Sequence, residues 1–422
     1  MKKAPIYILL ALLAMSFTAS ITYPITGYEA TGIARLLYLE RRAQEGDTAR
    51  ALRAGSFLNW NDIQLNLTSR PDLADSLVMQ PTPGFQESMS RLFPNRGRGY
   101  GIAVMDMTDP NNLKYASENE TSQYQPGSVG KLAVLTAFFT ELAKICPDDW
   151  NTRTNLMKSK RVRSSYWGTG DHHTIPVYDI EKDRLTKRRV VASDEFSLYE
   201  WVDHMVSVSN NGAASVVWRE ALLMNIFGDE YFGLTEEVAE QYLKDTPRGE
   251  LTDRAINLVN DPLRELGIGH DEWRLGSLFT NAANKYVGNK GGSIGTPKGL
   301  MKFLLALEQG KVVDLNSSQE MKRLMYMTDR RIRYAYNRAL DSAAVYYKSG
   351  SLYSNDRSKP GGGKYAGNVY NYMNSVIIVE HPDGTKYITC LMSNILNKNS
   401  ANDHSYLAGT IDKAIRAQYA TE

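Results

Sequence analysis

Strand-forming runs stand at both ends of the most strongly patterned part of this chain, and helical runs fill the middle. Tyr100-Gly101-Ile102-Ala103-Val104-Met105-Asp106-Met107 reads as a strand, and the turn Asp109-Pro110-Asn111-Asn112 leads to a second strand around Leu113 to Ala116. That is a hairpin. Far downstream, Val345-Tyr346-Tyr347 reads as a strand, followed by Ser375 to Glu380 and Lys386 to Leu391 around the turn His381-Pro382-Asp383-Gly384. Between these groups, Leu132, Val134, Leu135, Phe138, Phe139 and Leu142 repeat at helical spacing. Further helical runs cover Ser197 to Val206 and Ala213 to Asn225. Thr296-Pro297 supplies an N-cap and a first-turn proline for a helix with Leu300, Phe303, Leu304 and Leu307 on one face. A last helix spans about Asp403 to Gln418. The order predicts an α+β, sandwich-like fold: an antiparallel sheet drawn from both chain ends, flanked by helices and joined to an all-α subdomain.

The rest of the chain divides around this domain, which is expected to run over residues 97–422. Lys2 and Lys3 precede the apolar run Ile6 to Met15, and Ser16, Thr18, Ala19 and Ser20 follow. This pattern predicts a signal peptide over residues 1–20 and export, to a periplasmic or extracellular site. The alternative is a retained N-terminal anchor, against which Thr18, Ser20, Thr22 and Pro24 interrupt the apolar stretch. No stable membrane span is expected after cleavage. Residues 21–96 are expected to be a helical extension that braces the main domain. In it Gly32 to Arg53 carries Ile33, Leu36, Leu37 and Leu39 on one side, and turn signals follow at Arg70-Pro71-Asp72 and Pro81-Thr82-Pro83-Gly84. The polar, basic stretch Cys146 to Ala192 reads as an insertion.

Charge excludes one class of partner. Lys and Arg number 49 against 47 Asp and Glu, so no sequence-wide electrostatic case for nucleic acid arises. The basic runs Lys158 to Arg163 and Lys187-Arg188-Arg189 read as solvated surface. The two cysteines, Cys146 and Cys390, either pair or sit as buried thiols.

Three motifs carry the chemistry: Ser128-Val129-Gly130-Lys131, Ser209-Asn210-Asn211 and Lys348-Ser349-Gly350. Pro126-Gly127 breaks the chain before Ser128 and sets it in the first turn of the helix that follows. Residues three apart share a helix face, so Lys131 lies one turn from Ser128. An amine there accepts the serine proton once burial or positive neighbours lower its pKa. Ser209 is placed to relay a proton to a leaving group, and Asn211 to hydrogen-bond Lys131 and a substrate amide. Lys348 adds positive potential and Ser349 a hydrogen bond. Gly350 leaves room for a substrate along the strand edge, and the Ser351 N–H completes an oxyanion hole with that of Ser128. Singly, each motif has a plain structural reading as an N-cap serine, a surface lysine, a polar turn or a strand end. As an ordered set they make a parts list for acyl transfer through a serine, without a catalytic histidine.

From Gly99 to Glu422 the ordered set resembles the penicillin-recognising serine hydrolases, especially the class A β-lactamase-like branch. The resemblance implies that Ser128 is acylated and that Lys131 accepts its proton. Ser209 and Asn211 fall in the family's second motif, and Lys348, Ser349 and Gly350 in its third. It implies a β-lactam or peptidoglycan peptide as small-molecule partner and no cofactor. Asn210 departs from the aspartate usual there. The Glu-x-x-Leu-Asn string whose glutamate activates the deacylating water in class A enzymes is missing. Glu265 and Glu272 lie in the right interval without the right neighbours. The resemblance therefore fits a D-alanyl-D-alanine peptidase or a related esterase or amidase better than an efficient β-lactamase.

Other chemistries fit less well. Position 126 is proline where a Gly-x-Ser-x-Gly elbow needs glycine. A phosphate-binding loop fails at Gln125 and Leu132. His172-His173 invites a metal, but neighbouring strand residues point to opposite faces, so no metal site is expected. A catalytically inactive β-lactam sensor or peptidoglycan-binding protein is the alternative from another functional class.

Overall fold

The computed structural model describes residues 27–45, 55, 58–73, 79–93, 97–147, 149–328 and 331–419. The expected signal peptide lies outside the described residues. Among those described, no helix is long and apolar enough to cross a membrane.

In chain order, the N-terminal part contributes α1 (Ala34–Gln44) and α2 (Pro83–Ser90). The first hairpin is β1 (Tyr100–Asp106) with β2 (Lys114–Glu118). A single 3-10 turn at Gly127–Gly130 runs straight into α3 (Lys131–Ile145). The insertion carries α4 (Trp150–Ser159) and a hairpin of β3 (Thr174–Asp179) and β4 (Arg184–Arg189). There follow α5 (Leu198–Val206), α6 (Asn211–Phe227), α7 (Arg248–Glu265), α8 (Pro297–Glu308) and α9 (Leu315–Tyr326). The chain closes with β5 (Ala344–Ser354), β6 (Tyr370–Glu380), β7 (Lys386–Asn394) and α10 (Ser400–Arg416).

The two ends of the domain do meet. The five-stranded sheet has the order β2-β1-β7-β6-β5 and is antiparallel throughout, with Ile102 opposite Leu391 where the N-terminal hairpin joins the C-terminal strands. Both faces are covered, and alternation along each strand sorts the side chains between them. Val104, Val345, Ile377, Val379 and Leu391 pack with Leu407, Ile411 and Ile415 of α10. Met105, Tyr346, Val376, Ile378 and Met392 face the larger core built on α3 and α8. Helix α3 is buried almost all round from Lys131 to Leu142, as a central helix should be. Each of its large apolar side chains contributes about 1.5–3 kcal/mol by leaving water. Helix α8 starts as its sequence predicts, with the Thr296 hydroxyl accepting from Gly299 N at 3.0 Å and Pro297 in the first turn.

The extension is helical only at its two ends among the described residues. Between α1 and α2, residues 58–73 follow an irregular path with one turn at Trp60–Asp62. The path is fixed by burial: Ile33, Leu36, Trp60, Ile63 and Leu67 share the core of α3. Arg35 donates twice to buried Asp203 of α5 at 2.6 Å, and Lys322 of α9 bridges Glu308 and Glu380 at 2.6 and 2.7 Å beside Asn66. Cys146 and Cys390 are both free and buried.

Candidate active site

The Ser128 turn rests on β5. Gly127 sits at φ +53°, in the left-handed region that favours glycine. A Cβ on Gly350 would stand 2.4 Å from the Pro126 carbonyl oxygen and 2.7 Å from Ser128 N. Only glycine fits at 350 for that reason. The sequence reading gave this space to a substrate, but the turn bearing Ser128 occupies it. Asn374, opposite Gly350 on β6, locks the turn by donating to the carbonyls of Gln125 and Pro126 at 2.9 and 3.0 Å. The same docking brings Ser351 N to 3.4 Å from the Cβ position of Gly127, so the backbone N–H groups of residues 128 and 351 lie on adjoining segments.

Lys131 opens α3 with no solvent exposure. Its Nζ lies 3.0 Å from Ser128 Oγ and donates to Asn211 Oδ1 at 2.6 Å and to the Ser209 carbonyl at 2.7 Å; Ser209 Oγ is 3.4 Å away. The Phe279 ring covers another side, 5.0 Å from Nζ. Burial brings the Lys131 pKa from 10.5 down to about 7, with Asp171 pulling back against it. An amine that is about half neutral at pH 7, in contact with a serine hydroxyl, is a general base in waiting.

The second and third motifs meet at Ser209. Its backbone is held at φ +60°, a conformation that costs a non-glycine residue about 1–3 kcal/mol and persists where surroundings over-determine it. Here Lys131 grips its carbonyl from one side, and Lys348 Nζ reaches its Oγ at 2.8 Å from the other. Lys348 is 2% exposed. Burial, then the charges of Lys131 and Arg333, hold its pKa well below the usual lysine value. The five catalytic candidates Ser128, Lys131, Ser209, Asn211 and Lys348 are thus one connected cluster.

Asp171, which the sequence reading missed, comes from the insertion. Its buried carboxylate accepts Asn211 N at 2.6 Å and Asn211 Nδ2 at 3.2 Å, and faces His173 Nδ1 at 2.8 Å. With Nδ2 committed to Asp171, the Asn211 amide must turn Oδ1 to Lys131. Desolvation pushes the Asp171 pKa up, but the hydrogen bond and charge of His173 and the backbone N–H groups of Asn211 and His173 outweigh it and hold it well below the usual range. Asn210 caps α6 through Ala213 N at 2.7 Å and donates to the His173 carbonyl at 3.0 Å. An ionised aspartate has no proton for that second bond.

Arg333 is the second residue missed. It donates to Ser349 Oγ and Ser351 Oγ, each at 2.8 Å, and its guanidinium lies 5.3 Å from the Tyr365 ring. Its Nε has no hydrogen-bond partner among the described residues. Ser349, Gly350 and Ser351 are therefore together as expected, with the hydroxyls of Ser349 and Ser351 gathered under one cation.

The two glutamates considered for water activation lie elsewhere. Glu265 shares a surface hollow with Thr140, Lys144 and Lys311 towards the far end of α3. Glu272 Oε2 accepts Gly269 N at 2.6 Å and pairs with Lys302 at 2.8 Å. His172 and His173 precede β3 and are not part of a strand, so they do not point to opposite faces as expected. Their rings stand 4.2 Å apart, and Asp171 completes a cluster of three ligand-type side chains.

Comparison with known proteins bears on the family and the fold. A profile of the beta-lactamase enzyme family matches residues 84–417. No curated protein sequence matches the chain. Among solved structures, TLA-3 extended-spectrum beta-lactamase is similar at 15% identity and a TM-score of 0.54, covering 81% of this chain and 100% of its own. A representative class A beta-lactamase from Bacteroides cellulosilyticus DSM 14838 is similar at 16% identity and 0.52, over 81% and 98%. PBP-A follows at 12% and 0.50, over 81% and 97%. These likenesses show a shared fold. With the family profile covering most of the sequence, the chain belongs to the beta-lactamase enzyme family.

Proposed function

We propose that the chain is an exported serine hydrolase that forms an acyl-enzyme on Ser128 with β-lactams or D-Ala-D-Ala-type amides and releases it slowly. The observation that carries this reading is the buried Lys131 amine, lowered to a pKa of about 7, 3.0 Å from the Ser128 hydroxyl. Neutral Lys131 takes the Ser128 proton as Oγ adds to the substrate carbonyl. The N–H groups of Ser128 and Ser351 receive the oxyanion. Collapse of the tetrahedral intermediate breaks the C–N bond. Ser209 passes its proton to the departing nitrogen and is reprotonated from Lys131, completing the shuttle under the field of Lys348.

Charge supports a substrate carrying a carboxylate. The cation that supports it is Arg333, whose guanidinium holds the hydroxyls of Ser349 and Ser351, each at 2.8 Å, along the third motif. Penicillins and peptides ending in D-Ala-D-Ala both present such a group next to the scissile amide. Slow release is supported by Phe279, which covers Lys131 with an apolar ring, by Glu265 lying in a separate surface hollow and by Glu272 being paired with Lys302. Asp171 is committed to Asn211 and His173. These features favour a peptidase, or a sensor that stays acylated, over a fast β-lactamase. Export rests on Lys2, Lys3 and the apolar run to Met15.

Labelling with a fluorescent penicillin tests the reading. Wild type should label covalently, Ser128→Ala should not, and a peptide ending in D-Ala-D-Ala should compete. Equal labelling of the two proteins would remove Ser128 from the chemistry.

A further inference from the structure

We propose that Asp171, His172 and His173 form a binding site for a divalent transition-metal ion of the zinc class at the edge of the Ser128 cleft, and that its occupancy loosens Asn211. The three side chains converge although they are consecutive in sequence. His173 Nδ1 lies 2.8 Å and His172 Nδ1 3.7 Å from the same oxygen, Asp171 Oδ1, and the ligand atoms of the three residues fall within 4.8 Å of one another. Zinc bonds of about 2.0–2.2 Å in a tetrahedron put ligand atoms about 3.3 Å apart. The two observed spacings lie on either side of that value, so small ring rotations would admit an ion.

The exposures suit a site that is anchored at one end and open at the other. The Asp171 side chain is 2% exposed, His173 30% and His172 78%. A metal therefore has a buried carboxylate, a part-buried imidazole and an imidazole facing solvent, with a fourth position left for water or an anion. Two imidazoles and one carboxylate suit zinc, nickel or copper better than magnesium or calcium, which prefer all-oxygen shells.

The site is coupled to the cleft through a shared atom. Asp171 Oδ1 is also the acceptor for Asn211 Nδ2 at 3.2 Å, and Asn211 Oδ1 holds Lys131 at 2.6 Å. A metal on Oδ1 competes for that oxygen, so that Asp171 holds Asn211 only through the backbone N–H on Oδ2 and the side-chain amide keeps Lys131 as its one remaining partner. It also places positive charge on the carboxylate that faces the second motif. Metal binding is therefore inhibitory. This coupling rests on the proposed acylation chemistry, whereas the metal site itself does not.

The test uses untagged protein and zinc chloride. Calorimetric titration should give one saturable site in wild type and in Ser128→Ala, and His172→Ala should weaken it about tenfold or more, as loss of a metal-site group does. His172 is exposed enough for its removal to leave packing intact, and Asp171→Asn gives a second variant in which zinc affinity should fall. No saturable binding in wild type, or unchanged affinity in both variants, overturns the site. At saturating zinc, penicillin labelling of wild type should slow by about threefold or more, the worth of one neutral hydrogen bond. Undiminished labelling at a filled site overturns the coupling to Asn211. Zinc binding with no labelling under any condition would support the site and sink the acylation reading instead.

Discussion

The fold removes Lys131 from water, and with Lys131 as the proposed base this gives acylation a defined pH dependence. Its folded pKa of about 7 lies well below the ordinary 10.5, so the neutral, proton-accepting form grows as pH rises through about 7. Penicillin labelling rates measured from pH 5 to 9 should climb through that point and then level off. A limb centred near pH 10 would mean that Lys131 is solvated or not the base. Phe279→Ala lets water reach Nζ and should carry the limb to higher pH; a limb that stays in place would show that the ring is not part of the desolvation. The five catalytic candidates were legible in the sequence because spacing along a helix or strand brings motif residues together. Asp171, Arg333 and Asn374 were not. Asp171 acquires its role from Asn211, 40 positions away, and Asn374 from Pro126, 248 positions away, and nothing in their own neighbourhoods signals either meeting.

Among the elements, the contact between the Ser128 turn and β5 decides whether a site exists at all. Gly350→Ala would drive a methyl group into the Pro126 carbonyl and Ser128 N, at 2.4 and 2.7 Å. Either the turn moves off the strand or the strand end peels away. Labelling should fall by orders of magnitude while circular dichroism keeps its helical signature, and near-normal labelling would refute the docking role. Asn374→Ala leaves two carbonyls without their side-chain donor, at a cost of about 1–3 kcal/mol for each that stays buried and unsatisfied. Its melting temperature and labelling rate should fall together. Helix α3, the first hairpin and the N-terminus of α8 were readable because local signals and tertiary burial agree there. The irregular path of residues 58–73 and the β3–β4 hairpin were not readable as such. Their course is set by what they pack against and by turn geometry at Asp183, which sits at φ +45°.

Across the whole molecule, the sheet joins the two ends of the family domain, and the N-terminal extension is built into its core. That the sheet draws on both ends was visible in the order of strands and helices. The depth of the extension's burial was not, because Trp60, Ile63 and Leu67 are spaced too irregularly to form a helical or strand pattern. One buried tie is the Arg35–Asp203 pair, with side chains 4% and 0% exposed. Asp203→Ala strands a buried guanidinium and should cost about 3–5 kcal/mol, read as a shift in the urea midpoint; a midpoint within error of wild type would show the extension to be dispensable for stability. In the proposed reaction the acyl group enters through Ser128, and neither Glu265 nor Glu272 is placed to hasten its exit. Intact-mass spectrometry of the protein mixed with a penicillin, followed over hours beside Ser128→Ala, tests this most directly. The account predicts a long-lived adduct of one drug mass on wild type and none on the variant. Rapid loss of the drug with little adduct would contradict the slow release, and the absence of both adduct and drug loss would contradict the assignment of penicillin-type amides altogether.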